Sequence, residues 1–357
     1  MRRVKSWDVI IVGGGIVGLS LSIELRKSGA SILVVERGEP GRESSHAAGG
    51  MLVDCAVETA PAVQELATAS ARIYPEFVQE LEAESGLKVD LRDQGTILLP
   101  SAEHAAHPAL QASRIDPVQL SEFEPSLSEG DCPVFLLKER SVDPRALTAA
   151  VIKTAKSRGV DFSSGDEVTA VNISDGAASG VTTSKTFFLA PKVVNCAGAW
   201  AGQLGPQPLP TRPVKGQMLC LIMPSRTLVK HVIRAPSVYL IPRSDGRLLL
   251  GATVEEAGFD KRTDRETIQR LQAEAIALVP KLREAKILEA WAGLRPGTPD
   301  ALPILGATRT PGYYVATGHF RDGILLAPIT ASIMAQVIEG KRCDYDLSAF
   351  SPERFLA

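Results

Sequence analysis

Residues 8–36, DVIIVGGGIVGLSLSIELRKSGASILVVE, constrain the fold of this chain more than any other segment. The short apolar run at residues 8–12 predicts a buried strand, the glycines after it open a helix that ends at Gly29, and SILVVE at residues 31–36 predicts a second strand. Strand, glycine turn, helix and strand within about thirty residues form a βαβ unit, whose strands are parallel and whose crossover is right-handed. The sequence therefore predicts an α/β fold that begins with a parallel sheet.

The glycines of this unit fit the G-x-G-x-x-G pattern, with Gly13, Gly15 and Gly18 at the glycine positions and Glu36 at the end of the second strand. The first two glycines let the backbone approach a pyrophosphate, and the helix N-terminus attracts its negative charge. A carboxylate at the end of the second strand accepts a hydrogen bond from a ribose hydroxyl. The unit therefore predicts a bound dinucleotide, which on these residues alone is either FAD or NAD.

The rest of the chain continues this pattern and then changes it. Amphipathic spacing predicts a helix over residues 63–84, DPRALTAAVIKTAKSRG predicts another, and KVVNCAG predicts a central parallel strand. From Thr211 onward, GQMLCLIM, SVYLIP and RLLLGAT read as alternating strands, with SDG as a hairpin turn. Further segments predict a helix at residues 264–279, strands at 287–294 and 313–318, and a last helix after His319. We expect two interwoven domains, the second with an antiparallel sheet.

Composition excludes several classes of protein. The chain has 357 residues, 45% of them hydrophobic, and a net charge of -2 without a basic run, so we expect a globular protein that does not bind nucleic acid. No apolar run reaches the roughly 18 residues of a membrane span, and the N-terminal apolar run is too short for a signal sequence. The five cysteines are odd in number and lack C-x-x-C spacing, which favours reduced thiols and a cytoplasmic location. The five histidines show no ligand spacing, so no metal is expected.

Several segments, in order, resemble the D-amino-acid oxidase family of FAD enzymes, and within it the glycine oxidases. They are DVIIVGGGIVGLS, the loop from Ser44 to Leu52, VVNCAGAW, VKGQ, YLIPR followed by GRLLLGAT, WAGLRPGTPD and GHFRDGILLAP. The resemblance implies an FAD-binding Rossmann domain of the glutathione-reductase type at residues 1–88, 141–210 and 300–357. It implies an α+β substrate domain, with an antiparallel sheet, at residues 89–140 and 211–299.

The resemblance also implies which residues contact a noncovalently bound FAD. Besides the motif residues Gly13, Gly15, Gly18 and Glu36, these are Ile16, Val17, Arg37, Ser44, Ser45, Gly49, Gly50, Met51, Val168, His319, Phe320, Arg321, Asp322, Gly323, Ile324 and Leu325. From the residues alone, the loop after Glu36 fits a surface loop and Val168 fits a core strand equally well. Gly318 to Gly323 precede a helix whose positive end favours the negative charge of reduced flavin, and Asp322 fits an ordinary helix N-cap as well.

Arg295 lies between an apolar strand and a Pro-Gly turn in EAWAGLRPGTPDALPILG. An arginine beside a turn is usually a solvated surface residue. By resemblance, Arg295 instead binds a substrate carboxylate, Tyr239 reaches the same carboxylate, and Arg321 is a second active-site arginine. The pocket would be lined by Met51 and by Val254, which is smaller than the methionine we expect there in a bacterial relative and so leaves more room.

The activity implied is oxidation of a small amine such as glycine, sarcosine or D-alanine. Hydride transfer from Cα to flavin N5 gives an imino acid that hydrolyses to a keto acid and ammonia, and O₂ reoxidises the flavin to yield hydrogen peroxide. Relatives further imply a homotetramer and a role in making the thiazole of thiamine. The alternatives are a D-amino-acid or sarcosine oxidase of broader specificity, a flavin-dependent dehydrogenase, and a protein whose flavin is structural.

Overall fold

The computed structural model describes residues 5–355 except 102, 129 and 131. In chain order, the strands are β1 (Val9–Val12), β2 (Ile32–Glu36), β3 (Met51–Leu52), β4 (Leu91–Arg92), β5 (Thr96–Leu98), β6 (Arg114–Ile115), β7 (Val134–Leu137), β8 (Arg140–Val142), β9 (Asp161–Ser164), β10 (Val168–Ser174), β11 (Ala177–Thr183), β12 (Phe187–Leu189), β13 (Val193–Asn195), β14 (Arg212–Ile222), β15 (Val232–Arg234), β16 (Tyr239–Pro242), β17 (Arg247–Gly251), β18 (Lys286–Gly297), β19 (Ile304–Ala307) and β20 (Tyr313–Thr317).

The α-helices, in the same order, are α1 (Ile16–Lys27), α2 (Ser44–Ala47), α3 (Gln64–Ser85), α4 (Pro108–Gln111), α5 (Pro117–Phe123), α6 (Pro144–Ser157), α7 (Arg265–Leu278) and α8 (Gly323–Glu339). Short 3-10 helices lie at Gly198–Gln203, Pro280–Glu284, Ser348–Phe350 and Pro352–Phe355. No helix of the described residues is long and apolar enough to cross a membrane.

A six-stranded sheet, ordered β19-β20-β13-β1-β2-β9, forms one centre of the fold. Strand β1 pairs in parallel with both β2 and β13, and β2 pairs in parallel with β9. The βαβ prediction for residues 8–36 and the central parallel strand predicted at KVVNCAG are therefore confirmed. Because β1 and β2 end beside each other, Val12 and Glu36 place the glycine turn and the carboxylate at the same edge of the sheet.

Both faces of this sheet are covered. Helices α1, α3, α6 and α8 form an apolar core with one face, in which Ile11, Leu19 and Tyr74 are fully buried. The opposite face packs against the three-stranded sheet β10-β11-β12, through residues such as Ile10 and Val181. Burial on both faces explains why VIIV and ILVV read as continuous apolar runs instead of alternating ones.

The second large sheet has eight strands, ordered β18-β14-β17-β16-β15-β5-β7-β6. Its strands are antiparallel except for the parallel pair of β15 with β5. Strands β16 and β17 form the predicted hairpin around Ser244 to Gly246, with Pro242 opposite Leu248. One face packs on α7, and the other presents Met218, Ile241 and Leu249 toward Met51 and Trp291. The α/β fold with an antiparallel second sheet is confirmed.

Some element predictions needed correction. The last helix begins at Gly323, which agrees with the expectation that residues 318–323 precede it and corrects a start directly after His319. Helix α5 was not predicted, although Asp116 and Gln119 form a capping box around Pro117 that the segment DPVQ encodes. The strands of the six-stranded sheet come from several separate stretches of the chain between residues 9 and 317. Those of the eight-stranded sheet come from residues 96–137 and 212–297. The domain boundaries themselves stay a prediction.

Candidate cofactor and substrate site

A cavity of about 740 Å³ lies between the carboxyl edge of the six-stranded sheet and one face of the eight-stranded sheet. Most of the residues assigned from the sequence line it together, although they come from distant parts of the chain. They are Gly13, Gly15, Ile16, Val17, Glu36, Arg37, Ser44, Ser45, Gly49, Gly50, Met51, Val168, Tyr239, Val254, Arg295, His319, Phe320, Arg321, Asp322, Gly323 and Ile324. Gly18 and Leu325 do not line it.

The glycine turn between β1 and α1 is shaped by close packing. Gly13 has φ +107, and a Cβ there would lie 2.4 Å from the Cys196 carbonyl oxygen. A Cβ on Gly18 would lie 2.2 Å from the Gly13 oxygen, so Gly18 serves the contact between α1 and β1 and not the cavity directly. A Cβ on Gly15 would meet only Ser45 Oγ, at 3.5 Å. The turn is therefore closely packed on the side of Cys196 and open at Gly15, which fits a pyrophosphate beside the helix N-terminus.

Glu36 is already partly engaged with the backbone of this turn. Its carboxylate accepts from the Gly14 amide at 2.8 Å and from the Gly38 amide at 2.9 Å. A carboxylate offers about four lone-pair sites, so capacity for ribose hydroxyls remains. Next to it, the Arg37 guanidinium lies 3.6 Å from the ring centroid of Trp200, another cavity residue. Sequence reasoning missed Trp200, although it ends the quoted segment VVNCAGAW.

The segment at residues 44–51, which begins with α2, is attached to the start of α1 and to the eight-stranded sheet. Ser45 Oγ accepts from the Ile16 amide at 2.9 Å, which holds the loop against the start of α1. Ser44 Oγ donates to the carbonyl oxygen of Leu294, in β18. The predicted serines are thus structural anchors, and the loop between them and Met51 runs along the cavity instead of across a free surface.

The segment at residues 318–325 brings a buried histidine and an acid to the cavity. His319 is 3% exposed and its Nε2 lies 3.1 Å from Thr330 Oγ1; burial lowers its pKa to about 4 and keeps the ring neutral. Asp322 stands at the N-cap position of α8 without a side-chain capping bond, and burial raises its pKa to about 6. Leu325 is 1% exposed and its side chain lies on the core-facing side of α8, so its contact with FAD stays a prediction that only its backbone could fulfil.

Arg295, Tyr239 and Arg321 converge at the end of the cavity that the eight-stranded sheet covers. Arg295 Nη1 donates to the carbonyl oxygens of Thr253 at 2.9 Å and Lys215 at 3.3 Å. Burial lowers the pKa of Arg295; the nearby Tyr239 opposes this, and the charge of Arg321 adds to it. Burial also raises the pKa of Tyr239, against the effect of the two arginines. The hydroxyl of Tyr239 therefore stays protonated beside two cations.

Arg295 has no anionic partner in the part of the chain that the structure describes: no carboxylate there lies within ion-pair distance of it, and none within that distance of Arg321. The guanidinium of Arg295 occupies the space above Gly216, where a Cβ would lie 2.4 Å from Nη1. Buried charges are ordinarily paired. Arg295 is half-buried at the cavity without such a partner among the described residues, whereas Arg321 is exposed there. Arg295 is therefore the group suited to bind an anion, and a planar carboxylate matches a guanidinium in shape.

The remaining assigned residues differ in burial. Met51 packs in the apolar cluster with Tyr239 and Trp291 at the cavity. Val254 is 52% exposed, so it borders the mouth of the cavity and not its floor. Val168 is 6% exposed and belongs to the core beneath β10, while also lining the cavity.

Among the described residues, no group of His, Cys, Asp or Glu side chains could hold a metal ion.

The fold and this cavity define the class of protein. A glycine turn open to a helix N-terminus, a carboxylate with spare acceptor capacity and a cavity that continues to the second sheet fit FAD. The sequence profile of the FAD dependent oxidoreductase family, DAO, matches residues 8–337, and the chain belongs to this family. It is accordingly an enzyme whose cofactor is FAD.

The relatives within this family are more specific. The chain is 33% identical to the glycine oxidase of Geobacillus kaustophilus over 98% of its own length and 97% of that protein. The crystal structure of glycine oxidase from Geobacillus kaustophilus superposes with a TM-score of 0.94 at 31% identity, covering 99% of this chain and all (100%) of the other. The resemblance to glycine oxidases is therefore confirmed.

A longer relative is similar as well. The bifunctional protein ThiO/ThiG of Synechocystis sp. is 37% identical over 98% of this chain but only 54% of that protein. The chain thus spans about half the length of the bifunctional relatives that it matches.

Proposed function

We propose that this chain is an FAD-dependent oxidase of small α-amino acids, with glycine, sarcosine and D-alanine as substrates. The observation that carries the proposal is the position of Arg295: two backbone carbonyls hold it at the cavity beside Tyr239 and Arg321, and no carboxylate of the described residues pairs with it. The cavity has guanidinium groups at one end and the glycine turn for the dinucleotide at the other. This arrangement suits a small carboxylate substrate that binds next to a flavin. Similarity to glycine oxidases supports the amino acid as the substrate class.

The residues of the chain bind and orient the substrate. Arg295 holds the carboxylate through paired hydrogen bonds, the Tyr239 hydroxyl donates a further one, and Arg321 adds a second positive charge. This fixes Cα relative to the cofactor, and such positioning is a large part of what an enzyme contributes to a reaction of this kind. When bound beside these residues, FAD would supply the hydride acceptor for the substrate and a path for the electrons to oxygen.

The walls of the cavity limit its water content near the reacting carbon. Met51 and Tyr239 pack with Met218, Ile241 and Trp291 in an apolar cluster. In such surroundings the charged hydrogen bonds of Arg295 to a carboxylate are stronger than in water. The same apolar walls favour a substrate with a small side chain or none, and the exposed position of Val254 leaves space toward the mouth for an N-methyl or Cα-methyl group.

Three finer points belong to the same proposal. The products are a keto acid, ammonia or an amine, and hydrogen peroxide. The similarity to ThiO/ThiG proteins supports a role in supplying an imine for the thiazole of thiamine. We further propose a cytoplasmic homotetramer, which light scattering of the purified protein would test by its mass.

An anaerobic titration tests the activity directly. The purified yellow protein is mixed with glycine, sarcosine, D-alanine or L-alanine without oxygen, and its visible spectrum is followed. We expect bleaching by glycine, sarcosine and D-alanine, no bleaching by L-alanine, and recovery of the spectrum with peroxide formation when air is admitted. A flavin that none of these amines bleaches would refute amino-acid oxidation while leaving the family and the cofactor unaffected. Bleaching without peroxide in air would favour a dehydrogenase.

A further inference from the structure

Arg243 follows strand β16 in the segment YLIPR, and none of the roles described above uses it. It is among the largest fully buried side chains of the described residues, at 1% exposure, and it does not line the cavity. Its Nη2 donates to the carbonyl oxygen of Gly49 at 2.5 Å, across the junction between the eight-stranded sheet and the cofactor loop. A buried arginine aimed at one backbone carbonyl calls for a specific explanation.

The rest of its surroundings do not explain it. Arg243 Nε and Nη1 are buried without a hydrogen-bond partner. Burial lowers the pKa of Arg243 to about 10, and the carboxylates of Asp143 and Asp90 oppose that effect while Arg247 and Arg92 add to it. Asp143 already pairs with Arg247, at 2.6 Å. Arg243 therefore remains charged at neutral pH, and its one direct hydrogen bond within the described part of the chain is the bond to Gly49.

That bond determines the orientation of the peptide between Gly49 and Gly50. In a trans peptide the C=O and N–H groups point in opposite directions. The Gly49 carbonyl is directed at a side chain outside the cavity, while Gly49 and Gly50 both line the cavity. The N–H of Gly50 therefore points away from Arg243, in a peptide whose two residues both line the cavity. It donates to no acceptor in the hydrogen bonds found among the described residues.

The neighbouring contacts leave this peptide little freedom. The Gly50 carbonyl accepts from the Val142 amide at 2.8 Å. A Cβ on Gly49 would lie 2.7 Å from Ile241 Cδ1, and a Cβ on Gly50, whose φ is +75, would lie 2.0 Å from the Val142 oxygen. Gly49 and Gly50 are thus closely packed, and Arg243 is the side chain that binds the carbonyl group of their shared peptide.

We propose that Arg243 is a positioning residue for the cofactor: by binding the Gly49 carbonyl, it fixes the Gly50 N–H as a hydrogen-bond donor to the flavin ring system. Arg243 itself touches neither flavin nor substrate, and it acts through the backbone. The inference depends on FAD as the cofactor and not on which amine is oxidised. It can therefore fail while the proposed function holds, and the reverse is also true.

The experiment uses Arg243→Met, which keeps the length of the side chain and removes its donors, and Arg243→Lys, which keeps one charged donor. Arg247→Met is the matched control, because it removes a charge from the same hairpin without touching Gly49. Apoprotein of each variant is titrated with FAD, and the dissociation constant and the visible spectrum of the bound flavin are measured. Circular dichroism of the apoproteins checks that the fold is retained.

We expect Arg243→Met to bind FAD at least about tenfold more weakly, as loss of a charged hydrogen bond predicts, and with a shifted flavin spectrum. Arg243→Lys should recover most of the affinity and the spectrum, and Arg247→Met should stay within about threefold of the unmodified chain. Two results would overturn the proposal. One is an Arg243→Met protein with unchanged affinity and spectrum; the other is an Arg247→Met protein with the same loss.

A second measurement tests the Gly50 hydrogen bond that the proposal requires, and it applies even if Arg243→Met does not fold. Hydrogen exchange of the peptide that contains Gly50 is compared in the unmodified protein with and without FAD. The proposal requires that FAD slows exchange of the Gly50 amide, because the cofactor supplies the acceptor that the protein does not. Unchanged exchange at Gly50 on binding FAD would overturn it.

Discussion

Replacing Arg295 by alanine removes the group to which we assign the substrate carboxylate. In the structure its guanidinium is held by the carbonyls of Thr253 and Lys215 and has no carboxylate partner among the described residues. Bound substrate would complete that pair, so the alanine variant leaves the substrate anion in an apolar cavity with one hydrogen-bonding partner fewer. The neighbouring Tyr239 contributes a neutral hydroxyl, whose sulfur contact with Met218 is long, at 3.9 Å.

The magnitudes follow from the kind of bond removed. Truncating one partner of a buried, hydrogen-bonded charge pair costs about 2 to 5 kcal/mol, which is about 30-fold to several thousandfold in kcat/KM. Losing a neutral hydroxyl bond costs about 1 kcal/mol, or roughly fivefold. We therefore expect Arg295→Ala to lose far more kcat/KM for glycine than Tyr239→Phe, with FAD still bound in both variants.

The assay is steady-state oxygen consumption with glycine, alongside the flavin absorbance of each purified variant. Gly216→Ala serves as an independent variant, since the added Cβ at 2.4 Å from Arg295 Nη1 displaces the guanidinium without removing it. We expect Gly216→Ala to raise the KM for glycine and so to lower kcat/KM, as Arg295→Ala should. Comparable kcat/KM values for Arg295→Ala and Tyr239→Phe would refute the carboxylate role of Arg295. Loss of flavin from Arg295→Ala would show that the residue supports the cofactor instead.

Three further predictions concern the pocket, the pH dependence and the cofactor. Val254→Met should lower kcat/KM for D-alanine relative to glycine by up to about tenfold, measured as a ratio, because the larger side chain narrows the mouth; an unchanged ratio would exclude Val254 from substrate choice. Burial raises the pKa of Asp322 to about 6, so between about pH 4 and pH 6 the folded state holds a proton that the unfolded chain has released. The contribution of this group to stability therefore falls as the pH rises from about 4 to 6. Asp322→Asn should therefore stabilise the apoprotein to denaturant by about 1 to 3 kcal/mol at pH 7.5 and by less at pH 5, and an equal effect at both values would contradict this. Acid precipitation should leave the flavin in the supernatant, and yellow pellets would disprove noncovalent binding.

The parts of the fold that the sequence predicted well are those whose signal is local. The glycine turn, the carboxylate of Glu36 and the parallel pairing of β1 with β2 all lie within residues 9–36, where periodicity and spacing are sufficient. The hairpin around Ser244 was likewise readable from its turn residues. The resemblance added the site residues from distant segments, and the structure places Arg295, Tyr239 and Arg321 together at one cavity.

What the sequence could not supply was the contact of side chains with distant backbone. Leu325 follows directly on cavity residues, yet the turn of α8 carries it into the core. Asp322 looks like a helix cap, but its side chain makes no capping bond. The bond from Arg243 to Gly49 joins residues 194 positions apart, and no local pattern encodes it. Such contacts depend on how two sheets approach each other, which is a property of tertiary packing.

The register of β18 ties the cofactor loop to the substrate site. Alternate residues of a strand point to the same face, so Trp291, Gly293 and Arg295 all face the cavity side. The Trp291 indole donates to the Ala47 carbonyl at 3.0 Å, and a Cβ on Gly293 would lie 2.4 Å from Ala47 Cβ. A shift of the β18 register by one residue would reverse the direction of every side chain on the strand. It would therefore turn Arg295 away from the cavity and also break the contacts with the loop. The order W-x-G-x-R is therefore one geometric unit, in which the tryptophan and glycine seat the loop beside the cofactor and the arginine faces the substrate.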